Sequence, residues 1–114
     1  MVNVKRERKT LRLPVQLAGR VIARADWKVG IIDLSLGGCL VQSPASFDWG
    51  SIIDVHVEIP GQKLSLKGRV IHSSLDGASL QNRRYLVGLE FMGLPAREEK
   101  DLRIYLESEG RRQA

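Results

Sequence analysis

The sequence predicts an all-β fold, a six-stranded antiparallel barrel followed by one C-terminal helix. Three observations predict it. Six short apolar segments alternate with polar residues at the two-residue period of a half-buried strand, turn residues separate these segments, and the period becomes helical near the C-terminus. The chain has 114 residues, the length of one domain, and it can bury a core without disulfides or a metal.

The first three strands follow a basic N-terminal segment. The first strand starts at Leu13, a turn covers residues 25–28, and a short apolar strand covers residues 29–34. The Gly37-Gly38 pair breaks the chain before the third strand. These assignments place two antiparallel hairpins at the start of the barrel.

The other three strands are bounded by equally clear turn signals. Pro60-Gly61 is a strong turn dipeptide between two alternating segments, and a polar, glycine-containing stretch precedes the last strand. The elements predicted here are a loop at 44–50, strands at 53–59, 64–70 and 85–91, and a loop at 75–84.

A helix is predicted from about residue 95 to residue 109. Pro95 suits a first helical turn, where a missing N–H costs nothing, and Gly110 is a typical stop. The predicted apolar stripe, which follows helical spacing, consists of Leu102, Tyr105 and Leu106.

Positive charge is concentrated at the N-terminus. The chain carries a net charge of +5, and residues 1–12 account for most of it with five basic residues against one acidic residue. We therefore divide the chain into a flexible basic arm, residues 1–12, and a barrel domain with its helix, residues 13–110. Because the body is nearly neutral, a compact anion fits this distribution better than a long nucleic acid does.

Several function classes are disfavoured by composition. Cys39 is the only cysteine, which indicates a reducing compartment and no cysteine-rich metal site. No apolar run reaches the roughly 20 residues of a membrane span, and the first residues lack the apolar core of a signal peptide. We expect a cytoplasmic protein that does not insert into membranes.

The sequence contains few residues in patterns that are typical of catalysis. The two histidines, His56 and His72, fall in separate strands without a cysteine or histidine at metal-ligand spacing, and Cys39 begins an apolar strand. No phosphate-binding glycine loop and no nucleophile-elbow motif occurs. We expect neither an enzyme nor a metal or cofactor.

Two short motifs carry recognisable binding chemistry. The first is R-x-x-x-R, with Arg8 and Arg12 at the junction of the arm and the first strand. Arginine presents a rigid fork of donors that matches phosphate oxygens and also the O6/N7 edge of guanine. The second motif, D-x-S-x-x-G, begins at Asp33, whose carboxylate suits the N1–H and N2–H₂ donors of guanine.

The rest of the second motif supports the same ligand. Ser35 supplies a hydroxyl, and Gly37-Gly38 allows a ligand to approach the backbone N–H groups. An isolated D-x-S-x-x-G could equally be an Asx-type turn that enters a hairpin. Taken together, the two motifs describe a guanine nucleotide site, and the lack of a triphosphate or Mg²⁺ motif disfavours GTP.

With these motifs in this order, the chain resembles the PilZ domain family of bacterial cyclic di-GMP receptors. The resemblance covers nearly the whole sequence: R-x-x-x-R at 8–12, the (D/N)-x-S-x-x-G motif within 30–38, and the stretches 68–70 and 87–91, which look like the closing strands of the family. Glu7 stands where many members carry arginine, so one bound ligand molecule and a stacked pair both remain open.

The resemblance implies a non-catalytic receptor that needs no cofactor and takes cyclic di-GMP as its ligand. The arm would order over the ligand and change the surface shown to a downstream effector protein, with motility, exopolysaccharide or biofilm as outputs. The ligand-binding residues implied by the motifs are Arg8, Arg12, Asp33, Ser35, Gly37 and Gly38, with Arg6 and Lys9 as auxiliary contacts.

Two alternatives stay open at this point. One is a protein-interaction adaptor of the same fold that binds no nucleotide. The other is a small nucleic-acid-binding barrel, which is disfavoured because only 5% of the residues are aromatic and such barrels hold bases by stacking. Neither alternative explains why both motifs occur together.

Overall fold

A computed structural model describes residues 12–76 and 83–113 of the chain. These residues form six strands and one helix, in the order that the sequence predicts. The elements are β1 (Leu13–Ile22), β2 (Asp26–Leu34), β3 (Gly38–Ser43), β4 (Ile52–Ile59), β5 (Gln62–Asp76), β6 (Arg84–Phe91) and α1 (Ala96–Gln113). The predicted arm, residues 1–12, lies outside the described residues except for Arg12.

The six strands close into an antiparallel barrel with the spatial order β1-β2-β3-β6-β5-β4. Four pairs are hairpins between consecutive strands, and the long connection from β3 to β4 lets β3 pair with β6 and β1 pair with β4. Closure gives every strand two neighbours, which removes the exposed edges of an open sheet. The predicted fold class is confirmed.

Alternation along the strands builds the core. In β4, for example, the apolar residues at odd positions face inward and the polar residues Asp54, His56 and Glu58 face solvent to different degrees. Each buried aliphatic side chain stabilises the fold by about 1.5–3 kcal/mol before chain entropy is counted. The fully buried apolar residues are Val21, Ile31, Leu34, Cys39, Val41, Val55, Val57, Val70, Val87, Leu89 and Leu102.

Two boundaries differ from the sequence prediction. The expected turn at 25–28 is wrong, because β2 already begins at Asp26 and the β1–β2 turn is shorter. The loop expected at 75–84 is also too long, since β5 continues to Asp76. That strand reaches 15 residues because its first half pairs with β4 and its second half pairs with β6.

Helix α1 packs against β1 and β5 and buries its own Leu102 completely. The predicted stop at Gly110 is wrong, because the helix continues to Gln113. The Gln113 side-chain amide donates to the backbone oxygen of Pro14 at 2.8 Å, so the last turn is anchored to β1. This contact offsets the cost of about 1 kcal/mol for a glycine inside a helix. Among the described residues, no helix is both long enough and apolar enough to cross a bilayer.

Candidate ligand-binding site

The D-x-S-x-x-G motif forms the tight connection between β2 and β3. The backbone N–H of Ser35 donates to the carbonyl of Gly38 at 2.9 Å, and the Ser35 hydroxyl donates to the same carbonyl at 3.2 Å. That hydroxyl also accepts the backbone N–H groups of Gly37 and Gly38, each at 3.1 Å. One donor and two acceptor sites are all that a hydroxyl offers, so the Ser35 side chain is fully used within the turn.

Ser35 therefore shapes the site through its hydrogen bonds within the turn. Only 2% of the residue is exposed, and its hydroxyl accepts the backbone N–H groups of the exposed Gly37 and of the buried Gly38, which would otherwise lack this partner. The motif predicts that Ser35 is a ligand-binding residue, and this contact stays a prediction. In the structure its hydroxyl fixes the turn that carries the neighbouring residues.

Gly38 is required by the packing of β3 on β6. A Cβ atom at this position would lie 2.1 Å from the backbone oxygen of Leu89, a distance that no side chain tolerates. Gly37 is exposed, and its carbonyl accepts the N–H of Phe91 at 2.9 Å. These contacts pin the turn to β6, so the motif is held rigidly on the outside of the barrel.

A bulge in β2 brings Asp33 to the outer surface. The pairing of β2 with β3 shifts between Ile31 and Asp33, so that one extra residue, Ile32, interrupts the two-residue period. Without this shift, Asp33 would share the inward face with Ile31. With the shift, Leu34 faces inward instead and is fully buried, and the carboxylate of Asp33 is left partly exposed.

Arg12 and Asp33 form an ion pair across the first hairpin. The Nη1 atom of Arg12 donates to Oδ1 of Asp33 at 2.8 Å, and the two side chains are 47% and 23% exposed. Pro14 of β1 lies directly opposite Asp33 in the ladder, which explains why a residue just before β1 reaches the motif. The structure thus brings Arg12, Asp33, Ser35 and the glycine pair into one place, as the sequence predicts.

The remaining arginine of the first motif, Arg8, lies outside the described residues, as do Arg6 and Lys9. Arg12 has further guanidinium donors besides the one given to Asp33, and Asp33 has a second carboxylate oxygen. The pair therefore presents donors and acceptors side by side. A ligand with an anionic group next to a donor-rich edge fits this combination.

Cys39, directly after the turn, is a packing residue. It is fully buried, and this burial raises the pKa of its thiol to about 12, with the negative charge of Asp33 acting in the same direction and Arg12 opposing it. The thiolate is the reactive form, so this thiol is inert near neutral pH. Cys39 thus lies buried at the start of an apolar strand, where the sequence places it.

The histidines are strand residues, as expected. His56 of β4 is opposite Ser65 of β5, and the Nε2 atom of His72 lies 3.1 Å from the hydroxyl of Ser74. Within residues 12–76 and 83–113, no three histidine, cysteine or acidic side chains are grouped as metal ligands.

A group of basic residues on the outer surface is not predicted from the sequence. Lys28 and Arg84, expected in a turn and a loop, belong to β2 and β6 and line a depression together with Arg83. The adjacent arginines in the sequence are a weak signal for such a site. Only the pairing of distant strands brings them next to Lys28.

The fold and the site together define a class of protein: a closed β-barrel with a rigid turn and an arginine–aspartate pair on its outer surface. A family model described as the PilZ domain matches residues 6–108, a range that contains both motifs and all six strands. The chain belongs to the PilZ domain family. No curated protein matches the chain.

Solved structures of PilZ proteins share this fold. The PilZ domain of YcgR from Escherichia coli with c-di-GMP has a TM-score of 0.71 and 17% identity, over 90% of this chain and 93% of that chain. The Bacillus subtilis inhibitor of motility MotI/DgrA has a TM-score of 0.72 and 18% identity, over 90% and 49%. The K. pneumonia MrkH–c-di-GMP complex has a TM-score of 0.71 and 13% identity, over 90% and 53%. The chain thus spans about half the length of MotI/DgrA and MrkH.

Proposed function

We propose that this protein is a non-catalytic cyclic di-GMP receptor that acts in the cytoplasm. The observation that carries the proposal is the Arg12–Asp33 pair, 2.8 Å apart, beside a turn whose shape is fixed by hydrogen bonds. Membership of the PilZ domain family supports it, and so do the ligands named with the YcgR and MrkH structures.

In this proposal, Asp33 accepts the N1–H and N2–H₂ donors of a guanine base. Arg12 turns its guanidinium toward a phosphate oxygen or the O6/N7 edge, where the fork geometry matches either group. Ser35, Gly37 and Gly38 belong to the site as the residues that shape the turn, and the exposed Gly37 leaves it open to the ligand. The ligand exchanges one exposed ion pair for several charge-assisted hydrogen bonds.

Arg8 completes the proposed clamp from the segment before β1, with Arg6 and Lys9 as auxiliary contacts. Each charge-assisted hydrogen bond contributes about 1.5–3 kcal/mol, and ordering a short segment costs about 2–5 kcal/mol. The balance gives an affinity of about micromolar. Closure of residues 1–12 over the ligand then changes the surface offered to a downstream effector, with control of motility, exopolysaccharide or biofilm as the output.

Calorimetric titration with cyclic di-GMP tests this function, with GTP and cyclic di-AMP as controls for base and phosphate chemistry. We expect saturable heat with cyclic di-GMP alone. The absence of heat at tens of micromolar protein would overturn the proposal, provided that the NMR spectrum of the protein is also unchanged by the nucleotide.

A nucleotide-independent adaptor is the second candidate. It is favoured by apolar residues exposed at the far end of the barrel from the turn, where Trp49 is 81% exposed and Ile52 is 58% exposed. Such residues are typical of protein contact surfaces. The titration separates the two candidates, because an adaptor of this kind gives no heat with any of the three nucleotides.

A further inference from the structure

A basic depression lies on the outer surface of the barrel, away from the Arg12–Asp33 pair. Its volume is about 330 Å³, and its lining includes Lys28 and Gly30 of β2, Gln42 of β3, and Arg83 and Arg84 beside and within β6. We propose that this depression is a binding site for a phosphate group. The proposal does not depend on the function proposed above.

Strand pairing creates the depression from three separate parts of the chain. Gly30 lies opposite Gln42 in the β2–β3 ladder, and Gln42 lies opposite Leu86 in the β3–β6 ladder. Lys28 is two residues before Gly30 on the same face of β2, and Arg84 is two residues before Leu86 on the same face of β6. The three basic side chains therefore surround one concave surface.

The charge around this surface is predominantly positive. Across residues 12–76 and 83–113, none of the ion pairs includes Lys28, Arg83 or Arg84. Asp76 lies opposite Arg84 in the β5–β6 ladder, and its Oδ2 atom accepts a hydrogen bond from Gln42 at 3.1 Å, so one carboxylate stands beside three basic groups. The basic groups keep an excess of positive charge, which attracts an anion.

The shape and chemistry favour a phosphate over an extended acidic surface. Two guanidinium forks match tetrahedral phosphate oxygens, and the lysine adds a point charge. A volume of about 330 Å³ suits a compact ligand. No other group covers Gly30 within the depression, because even an added Cβ atom there would meet nothing within 4 Å. The backbone of β2 is therefore accessible to a small group.

This site is separate from the Arg12–Asp33 pair. Lys28 precedes Asp33 by five residues on β2, which corresponds to about 16 Å along a strand. A phosphate bound by Lys28 and Arg84 is thus out of reach of Arg12. Its source is either a second phosphate of a nucleotide that extends along the outer surface or a different phosphorylated compound.

Inorganic pyrophosphate is a suitable probe, followed by the backbone amide signals of Gly30 and Gln42 in two-dimensional NMR at constant ionic strength. We expect saturable shifts at both amides. In the Lys28→Ala/Arg84→Ala double variant, the affinity should fall at least about tenfold, because two charged partners are lost. Arg97→Ala is the matched control, since it removes an exposed arginine on α1 and should leave the titration unchanged.

The result that would overturn the proposal is an absence of saturable shifts, or shifts of equal size in the double variant. Both substituted residues are exposed, and a thermal melt verifies that the double variant folds. Adding pyrophosphate after cyclic di-GMP identifies the source: if the nucleotide prevents the shifts, it supplies the phosphate, and if it does not, another compound does. With either result, the saturable pyrophosphate shifts still demonstrate the phosphate site. They do so even if cyclic di-GMP fails to bind.

Discussion

Arg12 donates to Asp33 across the β1–β2 hairpin at 2.8 Å, although 21 residues separate them in the sequence. One residue belongs to the R-x-x-x-R motif and the other to D-x-S-x-x-G. The barrel therefore joins the two motifs before any ligand is involved. A nucleotide that binds here meets a carboxylate and a guanidinium that already hold each other in place.

The first prediction concerns Arg12. Arg12→Ala should weaken cyclic di-GMP binding by at least tenfold, since it removes a charge-assisted contact of about 1.5–3 kcal/mol. Arg20→Ala is the matched control, because Arg20 forms a similarly exposed pair with Asp26 at 3.0 Å. Calorimetry of both variants measures the effect. Indistinguishable affinities would contradict the assigned role of Arg12.

The second prediction separates binding from stability at Asp33. Asp33→Ala should abolish measurable binding of cyclic di-GMP, because a methyl group accepts neither guanine donor and no longer pairs with Arg12. The free energy of unfolding should fall by no more than about 1 kcal/mol, since partly exposed ion pairs contribute little. Calorimetry measures the loss of binding, and urea unfolding measures the change in stability. A large loss of stability would mean that the variant fails to bind because it is misfolded.

The third prediction concerns the hydroxyl of Ser35. Ser35→Ala should destabilise the protein by about 1–3 kcal/mol, because the backbone N–H groups of Gly37 and of the buried Gly38 lose their acceptor. Ser65→Ala, at an exposed position of β5, should change the free energy of unfolding by less than about 0.5 kcal/mol. Equal urea midpoints for the two variants would show that the turn does not depend on this hydroxyl.

The fourth prediction compares two glycines. Gly38→Ala should destabilise the barrel by about 3 kcal/mol or more, since the new methyl group would meet the backbone of Leu89. Gly30→Ala should change the free energy of unfolding by less than about 1 kcal/mol, because nothing lies within 4 Å of its new methyl group. Thermal and urea unfolding provide the measurement. A well-folded Gly38→Ala variant of unchanged stability would refute the close packing of β3 on β6.

The fifth prediction concerns Cys39 and pH. Its pKa is raised from 9.0 to about 12 in the folded protein, so the folded thiol stays protonated while the unfolded thiol ionises. The contribution of this group to stability is therefore complete below about pH 9 and is lost as the pH rises toward 12. Urea unfolding from pH 8 to pH 11 should show a decline that is smaller in Cys39→Ala.

A thiol reagent provides a second test of the same residue. At pH 8 the native protein should react slowly, and the unfolded protein should react quickly, because only the unfolded chain exposes an ionisable thiol. Fast labelling of the native state would show that Cys39 is more accessible than its packing in the barrel indicates.

Much of the fold follows from local patterns. Alternation in β4 and the Pro60-Gly61 turn predict the β4–β5 hairpin correctly, because a half-buried strand and a tight turn each depend on neighbouring residues. The sequence predicts too late a start for β2 and too early an end for β5. Both segments are the polar ends of hairpins, where Asp26 pairs with Ile22 and Asp76 pairs with Arg84, and their turn-like composition hides this pairing.

The candidate site, like the fold, is predicted only in part by the sequence. The D-x-S-x-x-G motif marks the β2–β3 connection from the sequence alone, but the role of Ser35 inside the turn depends on the positions of two backbone N–H groups. The need for glycine at Gly38 depends on Leu89, which is far along the chain. Similarly, Lys28 and Arg84 become neighbours only when β2, β3 and β6 are assembled.

By itself, the sequence determined which residues alternate, where the chain turns, and which two motifs carry binding chemistry, because these depend on side-chain types at short spacing. The tertiary structure decided the rest. The bulge that turns Asp33 outward, the ion pair with Arg12 and the basic depression all arise from strand register. Register is fixed by the closure of the barrel around its core, which is a property of the whole chain.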